Sequence, residues 1–196
     1  MSFYPEEITE YFLRPRGVGE VFEADATGAT GSHVCGAALR LTLKLDAASH
    51  QITEARFKAT GCGYLIASAS VLTEVLQALT LSDATALPTM LESFITEQLG
   101  EFPVEKEHCA RLCRDALGAA LTAYRTSSQT EWTGDEALIC TCFGVSERKI
   151  EAAIQTASLH TVAEVTRACN AGGGCGSCQP LIEDILDDYW RTNLQG

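Results

Sequence analysis

Phe57-Lys-Ala-Thr-Gly-Cys-Gly-Tyr-Leu-Ile-Ala-Ser-Ala-Ser70 reads as the end of a strand, a turn and the start of a helix in one continuous run. Cys62 sits between Gly61 and Gly63 at the bend. The expectation is that both glycines supply positive φ for a sharp turn. The helix N-terminus that follows offers unpaired N–H groups and partial positive charge, which favour thiolate over thiol. Two further cysteines are placed to join it. Cys35 follows Gly31-Ser32-His33-Val34 and precedes a strand, and Cys109 lies in the first turn of a helix with His108 beside it. Three thiolates at element ends make a soft site with one coordination position left over, suited to iron or zinc.

Outward from that turn, Leu39-Arg-Leu-Thr-Leu-Lys-Leu45 alternates at every step, so its leucines face a core. After a loop from Asp46 to Gln51, Ala55, Phe57 and Ala59 share one face of a second strand, with Glu54, Arg56 and Lys58 on the other. This predicts an antiparallel hairpin with one wet face, reached from a glycine-rich passage through Gly28 and Gly31. Leu65, Ala69, Leu72, Leu76 and Leu79 then recur at helical steps and predict a helix of about four turns over the hairpin. Upstream, residues 5–13 read as a short helix with Pro5 at its first position, stopped at Arg14-Pro15. Downstream, Thr89 and Glu92 predict a capping box for a helix that closes at Gly100. The longest helix follows Pro103, with a stripe of Cys109, Leu112, Cys113, Ala116, Leu117, Ala120 and Tyr124. The class expected is α+β, a small antiparallel sheet packed with helices.

From Thr126 to Glu136 the pattern dissolves, and this stretch is read as a linker in which Trp132 docks onto a neighbour. The domains expected are 1–125 and 137–196, the second of about 60 residues and near the lower limit for folding without a staple. Three short helices are legible there: Glu147 to Thr156 after Ser146, Val162 to Cys169 after a Thr161/Glu164 capping box, and Pro180 to Arg191. It is expected to be a small all-α domain. A formal charge of −12 repels nucleic acid and anionic membranes and points to protein partners. With no apolar run of spanning length and no basic start, the expected compartment is the cytoplasm, where nine cysteines serve metal or redox chemistry better than disulfides.

In the second domain Cys140-Thr-Cys142 is followed at a distance by Gly172-Gly-Gly-Cys175-Gly-Ser-Cys178. Four cysteines in two close pairs define a tetrathiolate site. Structural zinc is the plain reading, but one pair here is C-x-C, closer than the usual zinc spacing. The surrounding glycines favour a cluster, because an inorganic core with bridging sulfides wants backbone N–H donors and little side-chain bulk. Cys113, one turn after Cys109, and Cys169 read first as small buried hydrophobes, with a lent ligand as the alternative, and His33 and His50 read as loop residues. Glu183, Asp184, Asp187 and Asp188 read as a wet helix face, with partner docking as the sharper alternative.

Residues 137–190, with Ile139-Cys-Thr-Cys-Phe-Gly-Val145, Thr161-Val-Ala-Glu-Val165 and Gly172-Gly-Gly-Cys-Gly-Ser-Cys178, resemble the bacterioferritin-associated-ferredoxin type of [2Fe-2S] domain. Residues 3–125 resemble IscU-type scaffolds through Cys35-Gly36, Leu39-Arg-Leu-Thr-Leu-Lys44, Phe57-Lys-Ala-Thr-Gly-Cys-Gly63, Ile66-Ala-Ser-Ala-Ser70 and Glu105-Lys-Glu-His-Cys109. In that order the two resemble the NifU family of iron-sulfur assembly scaffolds, whose members often add a third, Nfu-type C-terminal domain that this chain is expected to lack. The resemblance implies a transient [2Fe-2S] or [4Fe-4S] cluster on Cys35, Cys62 and Cys109, and a permanent [2Fe-2S] centre on Cys140, Cys142, Cys175 and Cys178. It also implies a ligand or orienting role for His108, zinc as an alternative occupant of the N-terminal site, and attraction of anionic sulfur by Lys106. Implied partners are a cysteine desulfurase of the NifS/IscS type and acceptor apo iron-sulfur proteins, with a homodimer expected and neither nucleic acid nor membrane.

Two departures stand out. Phe102-Pro-Val-Glu-Lys106 replaces a Pro-Pro-Val-Lys segment that a dedicated chaperone reads, and Ala37 stands where the family has aspartate. The leading expectation is a carrier without substrate turnover of its own, not an enzyme. Its rivals are a [2Fe-2S] electron-transfer protein that uses the N-terminal domain for docking, and a structural zinc protein.

Overall fold

Leu39, Leu41, Leu43 and Leu45 are buried as their alternation requires, and they form the floor of the first core. The computed structural model describes residues 3–46, 51–129 and 136–193. These form two compact units, one running to Tyr124 and the other starting at Arg125. No helix among the described residues is long and apolar enough to cross a membrane. His50 and Trp132 lie outside the described residues.

The first unit opens with α1 (Glu6–Leu13), for which Pro5 serves as N-cap rather than first helical residue. Its sheet has three antiparallel strands in the order β1 (Ala26–Gly31), β2 (Ala38–Leu45) and β3 (Ile52–Thr60). Leu41 pairs with Phe57 on one side and Gly28 on the other. The expected hairpin is therefore β2 and β3, and β1 is an addition to it. That strand is Ala-Thr-Gly-Ala-Thr-Gly because the longest helix crosses it at close range. A Cβ at Gly28 would lie 2.1 Å from the Ala116 carbonyl oxygen and 2.4 Å from the Ala120 nitrogen.

α2 (Gly63–Leu76) follows the turn at Cys62 and packs on α1 and β3. Its buried hydroxyls bond inward. Ser68 donates to Tyr64 O and Ser70 to Ile66 O, while Ser70 Oγ accepts the Arg16 N–H. The helix ends at Leu76, short of the expected Leu79. Next comes α3 (Leu81–Ala86), opened by a Thr80/Asp83 capping box. The box expected from Thr89 and Glu92 does not form. Thr89 Oγ1 donates to Ala86 O inside a 3₁₀ turn, and α4 (Leu91–Leu99) is capped by Met90 with no side-chain bond. A second 3₁₀ turn, Val104–Lys106, leads into α5 (His108–Ser128), so the first residues of the expected linker are helical.

The second unit begins with a short hairpin, β4 (Leu138–Cys140) and β5 (Val145–Ser146), an addition to the helices expected there. α6 (Glu147–Ala157) is capped by Ser146, and α7 (Val162–Cys169) by a complete Thr161/Glu164 box. α8 (Gln179–Asn193) closes the unit. Phe143, Val145, Ile150, Ile154, Val165, Ile182 and Leu186 make its core. Trp190 pins the α6–α7 loop by donating to Leu159 O at 2.8 Å and stacking on His160.

Candidate thiolate sites

Three loops of the first unit bring their cysteines to one edge. Cys35 sits in the β1–β2 turn, which Gly36 closes with φ +67° and a hydrogen bond from its N–H to Ser32 O. Cys62 is the N-cap of α2, while His108 and Cys109 open α5. Cys35 Sγ is 3.3 Å from His108 Nε2, which lies 3.9 Å from Cys109 Sγ, and Cys109 Sγ is 3.7 Å from Cys62 Sγ. The four therefore form a row of neighbours. Among the described residues no three His, Cys, Asp or Glu side chains close into a ready-made metal cage. Cys35, at one end of the row, is exposed, Cys109 is buried, and Cys62 at the other end is half-buried.

Neither glycine of the Cys62 turn has positive φ, which corrects the expectation. Close contact explains them instead. A Cβ on Gly61 would lie 2.9 Å from Leu65 Cδ2 and 3.3 Å from Ala37 Cβ, and one on Gly63 would meet the Tyr4 ring at 2.8 Å. Ala37 is thus a buried wall between the Cys35 and Cys62 turns.

Ionisation differs along the row. The Cys35 thiol is pulled below its ordinary range chiefly by the Ser32 hydroxyl, then by the Ala37 backbone N–H, with Lys106 adding attraction. Burial, and then the Cys62 sulfur beside it, pushes Cys109 up to about 12. Cys113, one turn on and fully buried, is pushed up as well and behaves as core.

In the second unit the hairpin carries Cys140 and Cys142, and the α7–α8 loop carries Cys175 and Cys178. Cys142 Sγ and Cys175 Sγ are 3.5 Å apart, and the Cys178 thiol lies near enough to Cys140 to feel its charge. Two facing thiol pairs result, one of them buried and the other open to solvent. Gly174 lies against the pair at the rim, where a Cβ would come within 2.9 Å of Cys142 Cβ and 3.1 Å of its sulfur. Backbone N–H groups of Cys175, Ser177 and Gly172 point at the sulfurs of Cys142, Cys175 and Cys178 respectively. Four thiols, peptide donors aimed at sulfur and a wall without side-chain bulk fit a [2Fe-2S] group.

The Ser177 hydroxyl, 2.7 Å from Cys175 Sγ, lowers that thiol to about 7, while burial raises Cys178 to about 11. Cys169 donates its S–H to Val165 O within α7 and belongs to the core. His33 is exposed in the β1–β2 turn, and the four acidic residues of α8 face solvent. Sequence reasoning missed Ser32 and Ser177 as partners of thiols. The only signal for either was its nearness to a cysteine, which serines in loops often share.

Two domain families match the chain: the NifU-like N terminal domain over residues 3–131 and the BFD-like [2Fe-2S] binding domain over residues 138–188. The nitrogen fixation protein NifU of Nostoc sp. is 39% identical over 193 residues, covering 94% of this chain. The chain spans 63% of that relative's length. The iron-sulfur cluster assembly scaffold protein IscU of Aquifex aeolicus is 38% identical over 125 residues, covering 63% of this chain and 78% of that protein. Among solved structures, a scaffold protein for the SUF system from Fervidobacterium islandicum shares the fold with a TM-score of 0.50 at 21% identity, over 60% of this chain and 96% of that one.

Proposed function

The chain belongs to the NifU-like N-terminal domain family, with a BFD-like [2Fe-2S] binding domain joined to it, and on that premise we propose that it is an iron-sulfur assembly scaffold with one site that gives and one that keeps. The division rests on a contrast in geometry. In the first unit, donors from three separate loops form an open row whose outermost thiol is exposed. In the second, four thiols stand as two facing pairs walled by Gly174.

The cargo cluster is built on Cys35, Cys62 and Cys109. Cys35 is the entry position, since it is exposed and its thiolate is favoured by Ser32, Ala37 and Lys106. The Cys35 thiolate attacks the outer sulfur of a cysteine desulfurase's persulfide, leaving a persulfide on Cys35 and a thiolate on the desulfurase. An external two-electron reductant such as a thiol then releases that sulfur as sulfide. His108, between Cys35 and Cys109, supplies the fourth donor until an acceptor's cysteine displaces it. Cys140, Cys142, Cys175 and Cys178 hold the resident [2Fe-2S] centre, which supplies one-electron transfer when bound. The residues' own part is to close its coordination sphere, to neutralise sulfur charge with peptide N–H groups, and to keep solvent from Cys140 and Cys178.

Three thiols and an imidazole also suit zinc, so the test must separate metals. Anaerobically purified protein should show the optical and EPR signature of a reducible centre, and Cys62→Ala should abolish cluster building from desulfurase, cysteine and iron without changing that signature. A colourless protein with zinc in both sites, or unchanged building in Cys62→Ala, would overturn the proposal.

A further inference from the structure

Tyr4 packs on the turn that carries Cys62, and it explains why residue 63 has no side chain. A Cβ there would lie 2.8 Å from Tyr4 Cε2 and 2.9 Å from Cζ. The same ring takes the first N–H of α2, which Gly63 donates to Tyr4 Oη at 3.1 Å. Cys62, the N-cap, contributes no side-chain bond to that terminus, so an outside hydroxyl does part of the work of a cap.

The contacts continue toward Cys109. Tyr4 meets Tyr64 edge-on with centroids 5.6 Å apart, and Tyr64 meets Phe102 at 4.9 Å. Phe102 lies one residue, Pro103, before the 3₁₀ turn that leads into α5 with His108 and Cys109. One ring therefore braces the turn before α2 and, through two buried aromatics, the segment before α5. The sulfurs those elements carry stand 3.7 Å apart.

We infer that Tyr4 is a positioning residue for the cargo site: its hydroxyl and ring hold the Cys62 turn where Cys62 and Cys109 can share one cluster. This rests on the scaffold reading above, but its first test does not. The Cys62–Cys109 spacing is read in full-length protein whose cargo site has been emptied anaerobically and whose resident centre is intact. Diamide takes one hydrogen from each of two thiols and leaves a disulfide, and peptide mass spectrometry identifies the Cys62–Cys109 product.

Tyr4→Ala should slow that cross-link about fivefold, the scale of one hydrogen bond's contribution. Tyr4→Phe, which keeps the ring and loses the acceptor, should fall between. Gly63→Ala should slow it while Tyr4 is present, and adding Tyr4→Ala should restore the rate to that of Tyr4→Ala alone. Cluster building on the trio should follow the same order, with the resident centre's circular dichroism unchanged. A wild-type cross-linking rate in Tyr4→Ala, or additive losses in the double variant, would overturn the inference. Should Tyr4→Ala fail to fold, Tyr4→Phe decides it alone, since a wild-type rate there leaves the hydroxyl no role. If no variant and no wild-type protein builds a cluster, the scaffold reading fails while the thiol measurement still stands.

Discussion

Within each thiol group burial and hydroxyl partners separate residues of identical chemistry. Cys175, lowered to about 7 by Ser177, is largely thiolate above neutral pH, whereas Cys178 at about 11 and Cys109 at about 12 stay protonated until strongly basic pH. In metal-free protein, iodoacetamide should therefore modify Cys175 well before Cys178 and Cys109. Its rate should rise through pH 7 and level off, and Ser177→Ala should move that rise to higher pH. Equal rates for the three thiols, measured by mass spectrometry, would contradict these assignments. Ala37 offers a second prediction. Buried against Gly61, it puts a methyl group between the Cys35 and Cys62 turns. Ala37→Asp would place a hydrated charge and a hard oxygen donor there, and should speed cargo transfer to an apo-ferredoxin by a factor on the order of ten. Equal lifetimes, followed by circular dichroism, would remove residue 37 from the control of release. At this scale the sequence marked the quartet through its spacing and the trio through its places at element ends. It could not mark Ser32, Ser177 or Tyr4, whose roles arise from packing between separate segments.

Elements were legible where burial imposes a period. The alternating leucines of β2 and the helical stripe of α5 are facts of one face against one core. β1 was illegible because small residues carry no hydrophobic signal. Its identity comes from α5 lying across it, with Gly28 against the Ala116–Ala120 backbone. The neighbour that must yield is main chain, so Gly28→Val should destabilise the first unit by on the order of 3 kcal/mol and lower its melting temperature. An unchanged melting curve would mean that β1 and α5 can separate without cost. The capping boxes teach a similar lesson. Thr161/Glu164 and Thr89/Glu92 have the same pattern, but Thr89 lies inside a 3₁₀ turn and bonds backward. Spacing alone does not say which turn a threonine ends up in.

Across the whole chain, the sequence divided nine cysteines into a trio at element ends, a quartet in two close pairs and two core residues, and the structure sets Cys62 3.7 Å from Cys109 and Cys142 3.5 Å from Cys175. What spacing could not supply was the contrast between an open row and two facing pairs, since that depends on how far each loop reaches. On the proposed function the resident centre also supports the smaller unit's stability. Cys175→Ser should bleach the as-purified protein and lower the melting temperature of residues 137–196, because losing a thiolate ligand removes binding free energy that supports the fold. Retained colour would count against the ligand set. The central claim is that one site gives and the other keeps, and chelator challenge tests it most directly. Protein loaded at both sites with iron and sulfide should lose cluster absorbance to EDTA in two phases. The fast phase should vanish in Cys62→Ala and the slow phase in Cys175→Ser. A single phase in the loaded protein, or a fast phase that survives Cys62→Ala, would contradict the account.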